Sequence, residues 1–274
     1  WSRFMLQFLI ESDHHIVQET LQAGQSPQRS QAISIPKTPE VMEKMHRMYN
    51  LAYNERARIS PTALNTYLEC KLRFYLKYVA GLQTPEEVSA EIDSITFGDI
   101  FHKSAEYIYK DLTQHGSLIT KDDIEALMKD EVRLESYVDK AFKELFFHIE
   151  MDEKPEYNGT QLINSAVIIR YIKQLLRIDH QYAPFTYVAS EKSVSEQVSI
   201  HTPSGDFKSR IGGKIDRLDQ KDDTLRIVDY KTGGEPKNPA NVASLFIPDK
   251  NRSGYVFQTF LYASIMNRKT PGKV

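Results

Sequence analysis

The sequence predicts an α/β fold in which a mixed β-sheet is flanked by helices, with a further helical part at the N-terminus. Three observations predict it. From Pro39 to about residue 180, apolar positions recur at helical spacing in successive blocks. Three alternating, strand-like stretches follow, separated by short polar turns. A last helical stretch, "YVFQTFLYASIMN", then leads to a turn and toward a further strand.

The elements are read in order. Residues 1 to about 21 form a short helical piece, and "AGQSPQRSQAISIPKTP" is a Gly/Ser/Pro/Gln-rich connector. A helix covers Pro39 to about Tyr53. The next, "ISPTALNTYLECKLRFYLKYVAGL", opens with Ser60 as N-cap and Pro61 as first helical residue, and closes at Gly81. "TPEEVSAEIDSI" is an acidic connection. "FGDIFHKSAEYIYKDL" sets Phe97, Phe101, Ala105, Ile108 and Leu112 on one helical stripe. Two further helices fall within residues 121–150 and 160–180. The strands are "TYVASEKSVSEQVSI", "DFKSRIGGKIDRLDQ" and "TLRIVDYKTG", with "TPSG" and "KDD" as hairpin turns. The division this suggests is a helical extension and linker over residues 1–56 and one α/β domain over 57–274. The chain opens on Trp1 without a methionine and stops at "RKTPGKV", so it reads as a C-terminally cut piece of a longer protein.

Composition bounds the function classes. Apolar residues make up 41% of the 274, enough for a sizeable core and too many for a disordered chain. The formal charge of −2 neither indicates nor excludes nucleic acid, because docking depends on a local patch. A single cysteine, Cys70, excludes an internal disulfide and an all-cysteine metal site, and it suits a reducing cytoplasm. No apolar run approaches the roughly 20 residues of a membrane span, and no signal peptide is visible, so no membrane partner is expected. A Walker-type phosphate loop and a Gly-x-Gly-x-x-Gly fingerprint are both missing.

The chemistry concentrates in "LRIVDYKTGG". Strand alternation puts Asp229 and Lys231 on the same face as Leu225 and Ile227. Desolvating an acid and an amine side by side is costly unless they are paired or bind something. In the preceding strand, "IGGKIDRLD" carries Asp216, which a hairpin could bring to the same face. Two carboxylates and a lysine at one end of a sheet suit a hard divalent cation with open positions. The plainer reading is a surface hairpin with scattered ion pairs. His102 lies beside the apolar stripe of its helix, with Gly98 one turn before it leaving room for an ion or a phosphate. A histidine there also serves as an ordinary packed core residue.

In this order, "FGDIFHKSAE", "GGKIDRLD", "LRIVDYKTG" and "FQTFLYA" resemble the RecB-type branch of the PD-(D/E)XK nuclease superfamily. That branch has Gly-x-x-x-His, Gly-x-x-Asp, Asp-x-Lys and Gln-x-x-x-Tyr, matched here by Gly98 and His102, Gly213 and Asp216, Asp229 and Lys231, and Gln258 and Tyr262. "SPTALNTYLECKLRFYLKY" is similar to the helix preceding the nuclease core in AddB-like proteins. The resemblance runs from about Ser60 to Tyr262. It implies a restriction-endonuclease-like core, with Mg²⁺ or Mn²⁺ held by His102, Asp216, Asp229 and the backbone carbonyl of Tyr230. Lys231 would be the catalytic lysine, and Gln258 and Tyr262 would lie toward the DNA and the lysine; the alternative for that helix, and for Tyr262 above all, is plain amphipathic packing.

Some AddB-like and CRISPR-adaptation relatives also carry an iron–sulfur cluster. Cys70 matches its first cysteine, but Lys71 replaces the usual proline, and the other three positions would lie beyond Val274. This stretch therefore holds no cluster, and Cys70 reads as a small packed residue. Around it, Lys71, Arg73 and Lys77 alternate with Tyr67, Phe74, Tyr75 and Tyr78. Arg73 and Lys77 are candidate DNA contacts in a strand-tracking channel; the alternative is an aromatic stripe facing the core with its lysines in water.

The expected activity is a metal-dependent DNA exonuclease, the nuclease part of a bacterial AddB-like helicase–nuclease in double-strand break repair. Its partners would be DNA ends and a helicase subunit, or helicase domains in the same chain. Two rivals are a non-catalytic DNA-binding scaffold of the same fold and a stand-alone nuclease of phage or CRISPR type. The intact set of His102, Asp216, Asp229 and Lys231 argues against the scaffold, and helicase motifs upstream of Trp1 would decide the other.

Overall fold

The computed structural model describes residues 2–13, 17, 33–83, 91–202, 205–234, 237–248 and 252–274. Two units divide at Ile35/Pro36. The first holds α1 (Arg3–Glu11), capped by the Ser2 side chain and ended by Ser12 in an extended conformation. The helix is thus shorter than the 21 residues expected, and most of the connector after it lies outside the described residues.

The larger unit opens with α2 (Pro39–Tyr49), which stops at Asn50; the Asn50 amide closes on His46 and its side chain turns back to accept from Ala52. Then come β1 (Arg58–Ile59), α3 (Pro61–Glu69) and α4 (Lys71–Phe74), the last running on into a wider, π-type stretch, Tyr75–Ala80. Ser60 caps α3 and Gly81 ends the run in the left-handed region, as the sequence predicts. The single helix expected there is broken at Cys70, whose backbone is extended at φ −156°, ψ 111°. Cys70 closes one helix and caps the next, its Sγ accepting from the Arg73 amide at 3.5 Å. Its side chain is exposed, which corrects the reading of a packed residue.

Helix α5 (Ser94–Leu112) is capped by Asp93, whose carboxylate accepts from Thr96 at 2.7 Å. The acidic connection before it, 84–90, lies outside the described residues. After β2 (Leu118–Ile119) come α6 (Lys121–Lys129), α7 (Glu131–Phe142) and α8 (Gly159–Tyr182). Three helices therefore stand where two were expected, because Asp130 leaves helical geometry and caps α7 with its side chain.

Strands β3 (Phe185–Thr202), β4 (Gly205–Lys221) and β5 (Thr224–Val228) form the antiparallel meander. β1 joins β4 in parallel at Arg58↔Arg210, and β2 adds to β3, so the sheet is mixed. β1 and β5 pair with different stretches of β4, at 210–211 and 217–221. Between them, residues 212–216 of β4 have no strand partner on that side among the described residues, and the candidate site residues lie at the end of this gap. Helix α9 (Gly254–Lys269) packs Tyr262, Ile265 and Met266 against Val194, Ile215 and Leu218 of the sheet. The largest cluster joins α5–α8 to Phe185 and Tyr230. Among the described residues, no helix is long and apolar enough to cross a membrane.

Candidate metal centre and catalytic site

β5 ends at Val228, three residues earlier than the "VDYK" alternation suggests. Arg217 pairs with Val228, so Asp216 and Asp229 occupy the next rung, where ladder pairing stops. The Asp216 carboxylate takes over instead, its Oδ2 accepting from the Tyr230 amide at 2.6 Å. That bond holds Tyr230 with its carbonyl turned to His102, whose Nε2 lies 3.1 Å away. Nδ1 of the same imidazole is 3.5 Å from Asp216 Oδ2. A helix and two strands separated by over a hundred residues thus meet at one imidazole.

Asp229 and Lys231 form a close ion pair, with the ammonium also 3.3 Å from the Tyr230 carbonyl. The other Asp229 oxygen accepts from Gln258 Nε2 at 3.0 Å. Burial is unequal within the pair: the Asp229 side chain is 5% exposed and that of Lys231 is 31%. Burial raises the Asp229 pKa above its ordinary value, although Lys231 pulls against it. For His102, burial alone would lower the pKa; the hydrogen bond to Asp216 and that acid's charge outweigh it and the pKa is raised.

Glu191 joins this site unannounced by any motif. Ser190 pairs with Arg217 and Lys192 with Ile215, which sets Glu191 opposite Asp216. One donor atom each of His102, Glu191 and Asp216 lie within 4.8 Å of one another. Glu191 has φ +49°, a left-handed conformation costly for a side chain with a β-carbon and found where function sustains the strain. Its carboxylate also meets Lys214 Nζ at 3.2 Å. Oxygens of two carboxylates and an imidazole nitrogen make a donor set that fits a divalent cation, with the Tyr230 carbonyl next to it. Asp229 stands beside that group rather than in it, turned toward Lys231 and Gln258.

Two expected DNA contacts are corrected by the geometry. Tyr262 is only 2% exposed; it packs in the core against β4, and its hydroxyl lies 3.4 Å from Gln258 Nε2. Gln258 is half-buried and spends its amide on Asp229 and Tyr262, so it orients the acid instead of meeting a strand. Gly98 faces Thr232: a β-carbon there would sit 3.2 Å from the Thr232 hydroxyl, so the missing side chain admits that residue. Arg73 and Lys77 are exposed, with Arg73 3.7 Å from Glu69 and Lys77 Nζ 5.4 Å from the centre of the Tyr78 ring. Phe74, between them, is buried with Tyr49, Ala63 and Val79.

Behind the site lies a buried charge network. Arg217 is bidentate to Asp179 at 2.7 and 2.9 Å and reaches Asp219 at 3.1 Å, while Arg226 bridges the same two acids. Tyr109 donates to Asp179, and the Arg217 guanidinium lies over the Tyr109 ring at 4.1 Å and near the Tyr230 ring at 5.8 Å. The ring of Tyr230 thus faces this network while its amide and carbonyl face the site.

Sequence comparison identifies a family for the chain. The profile of the PD-(D/E)XK nuclease superfamily matches residues 58–273. An ATP-dependent helicase/deoxyribonuclease subunit of Carboxydothermus hydrogenoformans is 27% identical over 185 residues, covering 64% of this chain and 16% of that protein. Proteins of the same name from Streptococcus uberis and Streptococcus equi subsp. zooepidemicus are 26% and 25% identical, over 64% and 72% of this chain. The match spans about one-seventh of those relatives' own length. With its α/β sheet, its acidic rung beside the Asp-Tyr-Lys turn and a profile match over most of its length, the chain belongs to the PD-(D/E)XK nuclease superfamily.

Proposed function

We propose that this domain is a divalent-metal-dependent DNA exonuclease, acting as the nuclease part of a helicase–nuclease that processes broken DNA ends. The observation that carries the reading is the convergence of His102, Asp216 and Glu191 beside the Tyr230 carbonyl, with the Lys231–Asp229 pair one residue away. In this reading His102, Asp216, Glu191 and the Tyr230 carbonyl would hold Mg²⁺ or Mn²⁺, and Asp229, turned here toward Lys231 and Gln258, would join them when the ion is bound. When bound, such an ion polarises a phosphodiester and lowers the pKa of a coordinated water.

The protein's own groups do the rest. Lys231, anchored by Asp229 and partly open to solvent, donates a hydrogen bond to a phosphate oxygen or orients the attacking water. Gln258 keeps Asp229 in place through its Oδ1. Asp216, bonded to the Tyr230 amide, fixes the distance between carboxylate and carbonyl. Arg73 and Lys77 supply surface charge toward the DNA backbone. The helicase/deoxyribonuclease relatives support the assignment to a helicase–nuclease, and a helicase partner in the same chain or assembly follows from it.

The test uses end-labelled linear and covalently closed circular single-stranded DNA with EDTA, Mg²⁺ or Mn²⁺. Cleavage of the linear form alone is expected, dependent on the ion, with Mn²⁺ at least as effective as Mg²⁺ because an imidazole suits manganese better. Equal cleavage in EDTA would remove the metal mechanism, and equal cutting of circles would remove the exonuclease assignment.

A further inference from the structure

Beside Lys231 lies a cleft of about 560 Å³ that the chemistry above does not use. His102, Tyr230 and Lys231 form one end of it; the start of α5 with Phe97 and the Asp93 that caps it, Asn164 of α8 and Tyr255 of α9 line much of the rest. We propose that this cleft is a nucleoside subsite, in which the base next to the scissile phosphate stacks on Tyr255. The inference rests on the nuclease reading and adds to it the group that seats the substrate.

Four features point to a nucleoside. The size falls within the range of small-molecule pockets, and apolar walls alternate with an amide and backbone groups able to meet a base edge. Tyr255 is 41% exposed, unlike Tyr230 and Tyr262, so its ring is available to a ligand. The ring is also held rigidly: its hydroxyl bonds the Gly233 carbonyl at 3.2 Å. Gly234 has φ +78°, which favours glycine, and a β-carbon there would lie 3.0 Å from that hydroxyl, a close contact. A stacking platform gains from such pre-ordering, because little freedom is lost when a base arrives.

The direction of the strand follows. Tyr255 also lines a second depression, of about 380 Å³, together with Lys237, Arg252 and Glu69. A strand with its phosphate at Lys231 and its base on Tyr255 would pass on to Lys237, where the next phosphate is attracted; Arg252 is buried and bonded to Leu245 and Asn65. Lys231 Nζ lies over the Tyr255 ring, 5.5 Å from its centre, so an arriving base shares that ring with the lysine and sits next to the reacting phosphate.

The experiment compares wild type, Tyr255→Phe and Tyr255→Ala on a (dT)12 oligonucleotide and on versions with one abasic residue stepped along it. KM and kcat are measured in Mn²⁺, equilibrium binding by fluorescence anisotropy in Ca²⁺, and folding by melting temperature. Tyr255→Ala should raise KM about tenfold or more with kcat within a few-fold, since base–aromatic stacking is worth that much. Tyr255→Phe, which keeps the ring but loses the bond to Gly233, should fall between wild type and Tyr255→Ala. At one position the abasic substitution should weaken wild type and leave Tyr255→Ala unchanged, the signature of a base and a ring acting on each other. Equal loss at every position in both proteins overturns the subsite, as does an effect of Tyr255→Ala on kcat alone, which would act through Lys231. Absence of wild-type cleavage in Mn²⁺ would sink the nuclease reading instead, and the same abasic comparison in the binding arm then decides the subsite.

Discussion

At the scale of single residues, Lys231→Ala separates two accounts of its pair with Asp229. If the lysine serves the chemistry, its loss should lower cleavage by about 10²–10⁴, the usual worth of acid–base help, while Mn²⁺ affinity by calorimetry and melting temperature change little. Asp229→Ala should lose metal and cleavage together. The asymmetry of burial supports this, since Lys231 is partly open and Asp229 retains Gln258. A variant Lys231→Ala that melts much earlier yet cuts at a normal rate per folded molecule would make the pair structural. Of the residues in this prediction, Asp229 and Lys231 stood out in the sequence because an acid and an amine at the end of an apolar strand demand a reason. Glu191 did not stand out, buried as it is among serines and lysines of a polar strand. Its only signal was register: with Thr202 opposite Gly205, counting back along both strands sets Glu191 against Asp216. Gln258 and Tyr262 were visible as a pair, but a one-dimensional pattern does not say whether a helix turns them toward solvent or toward the sheet.

Among elements, the contact of α9 with β4 depends on Gly213. A β-carbon there would lie 2.6 Å from the Tyr262 hydroxyl and 3.2 Å from Pro61 Cδ, so α9 and α3 both approach the strand at this point. Gly213→Ala should therefore destabilise by about 1–3 kcal/mol, as overpacking does. Tyr262→Phe deletes the offending oxygen, and the double variant should recover part of that loss although the contact with Gln258 goes with it. Urea melts of the four proteins measure this; additive losses would mean that the hydroxyl is not what Gly213 makes room for. The neighbouring Gly212 answers to β3, since a β-carbon there would meet the Val194 carbonyl at 2.1 Å. The paired glycines were readable only as a strand feature, because their reasons lie in other elements. Helix and strand periods gave the order of elements well, and the misses share a cause. Cys70, Asp130 and Asn50 each end a helix through a local side-chain or backbone bond that competes with the helical ladder, inside an apolar pattern that carries on undisturbed.

For the whole molecule, the Asp179–Arg217–Asp219–Arg226 network is the device that ties the helical layer to the sheet. Asp179 comes from α8, Arg217 and Asp219 from β4, Arg226 from β5, and Tyr109 of α5 closes it. The two acids differ. Burial alone would raise the pKa of Asp179, but hydrogen bonds and charge from Arg217, with Tyr109 and Arg226 adding to them, hold it below its ordinary value. For Asp219 burial wins and the pKa is raised, one of its oxygens being buried without a partner among the described residues. A carboxylate with a lowered folded pKa contributes stability that is fully present above its unfolded pKa of about 3.9 and is lost as pH falls through the folded value. Asp219 has the opposite sign: its contribution improves on acidification and is lost as pH rises through its raised folded value. The melting temperature should therefore show no loss from Asp179 between pH 8 and 5, then fall steeply below about pH 4. Asp179→Asn leaves Arg217 and Arg226 sharing one acid and should cost about 3–5 kcal/mol, roughly 10 °C of melting temperature at this chain length. Asp219→Asn should cost less, since it removes a charge that its surroundings already disfavour. Equal losses for the two variants, or an acid transition that Asp179→Asn leaves untouched, would mean that the joint between helices and sheet is held by apolar packing and that the buried charges only accompany it.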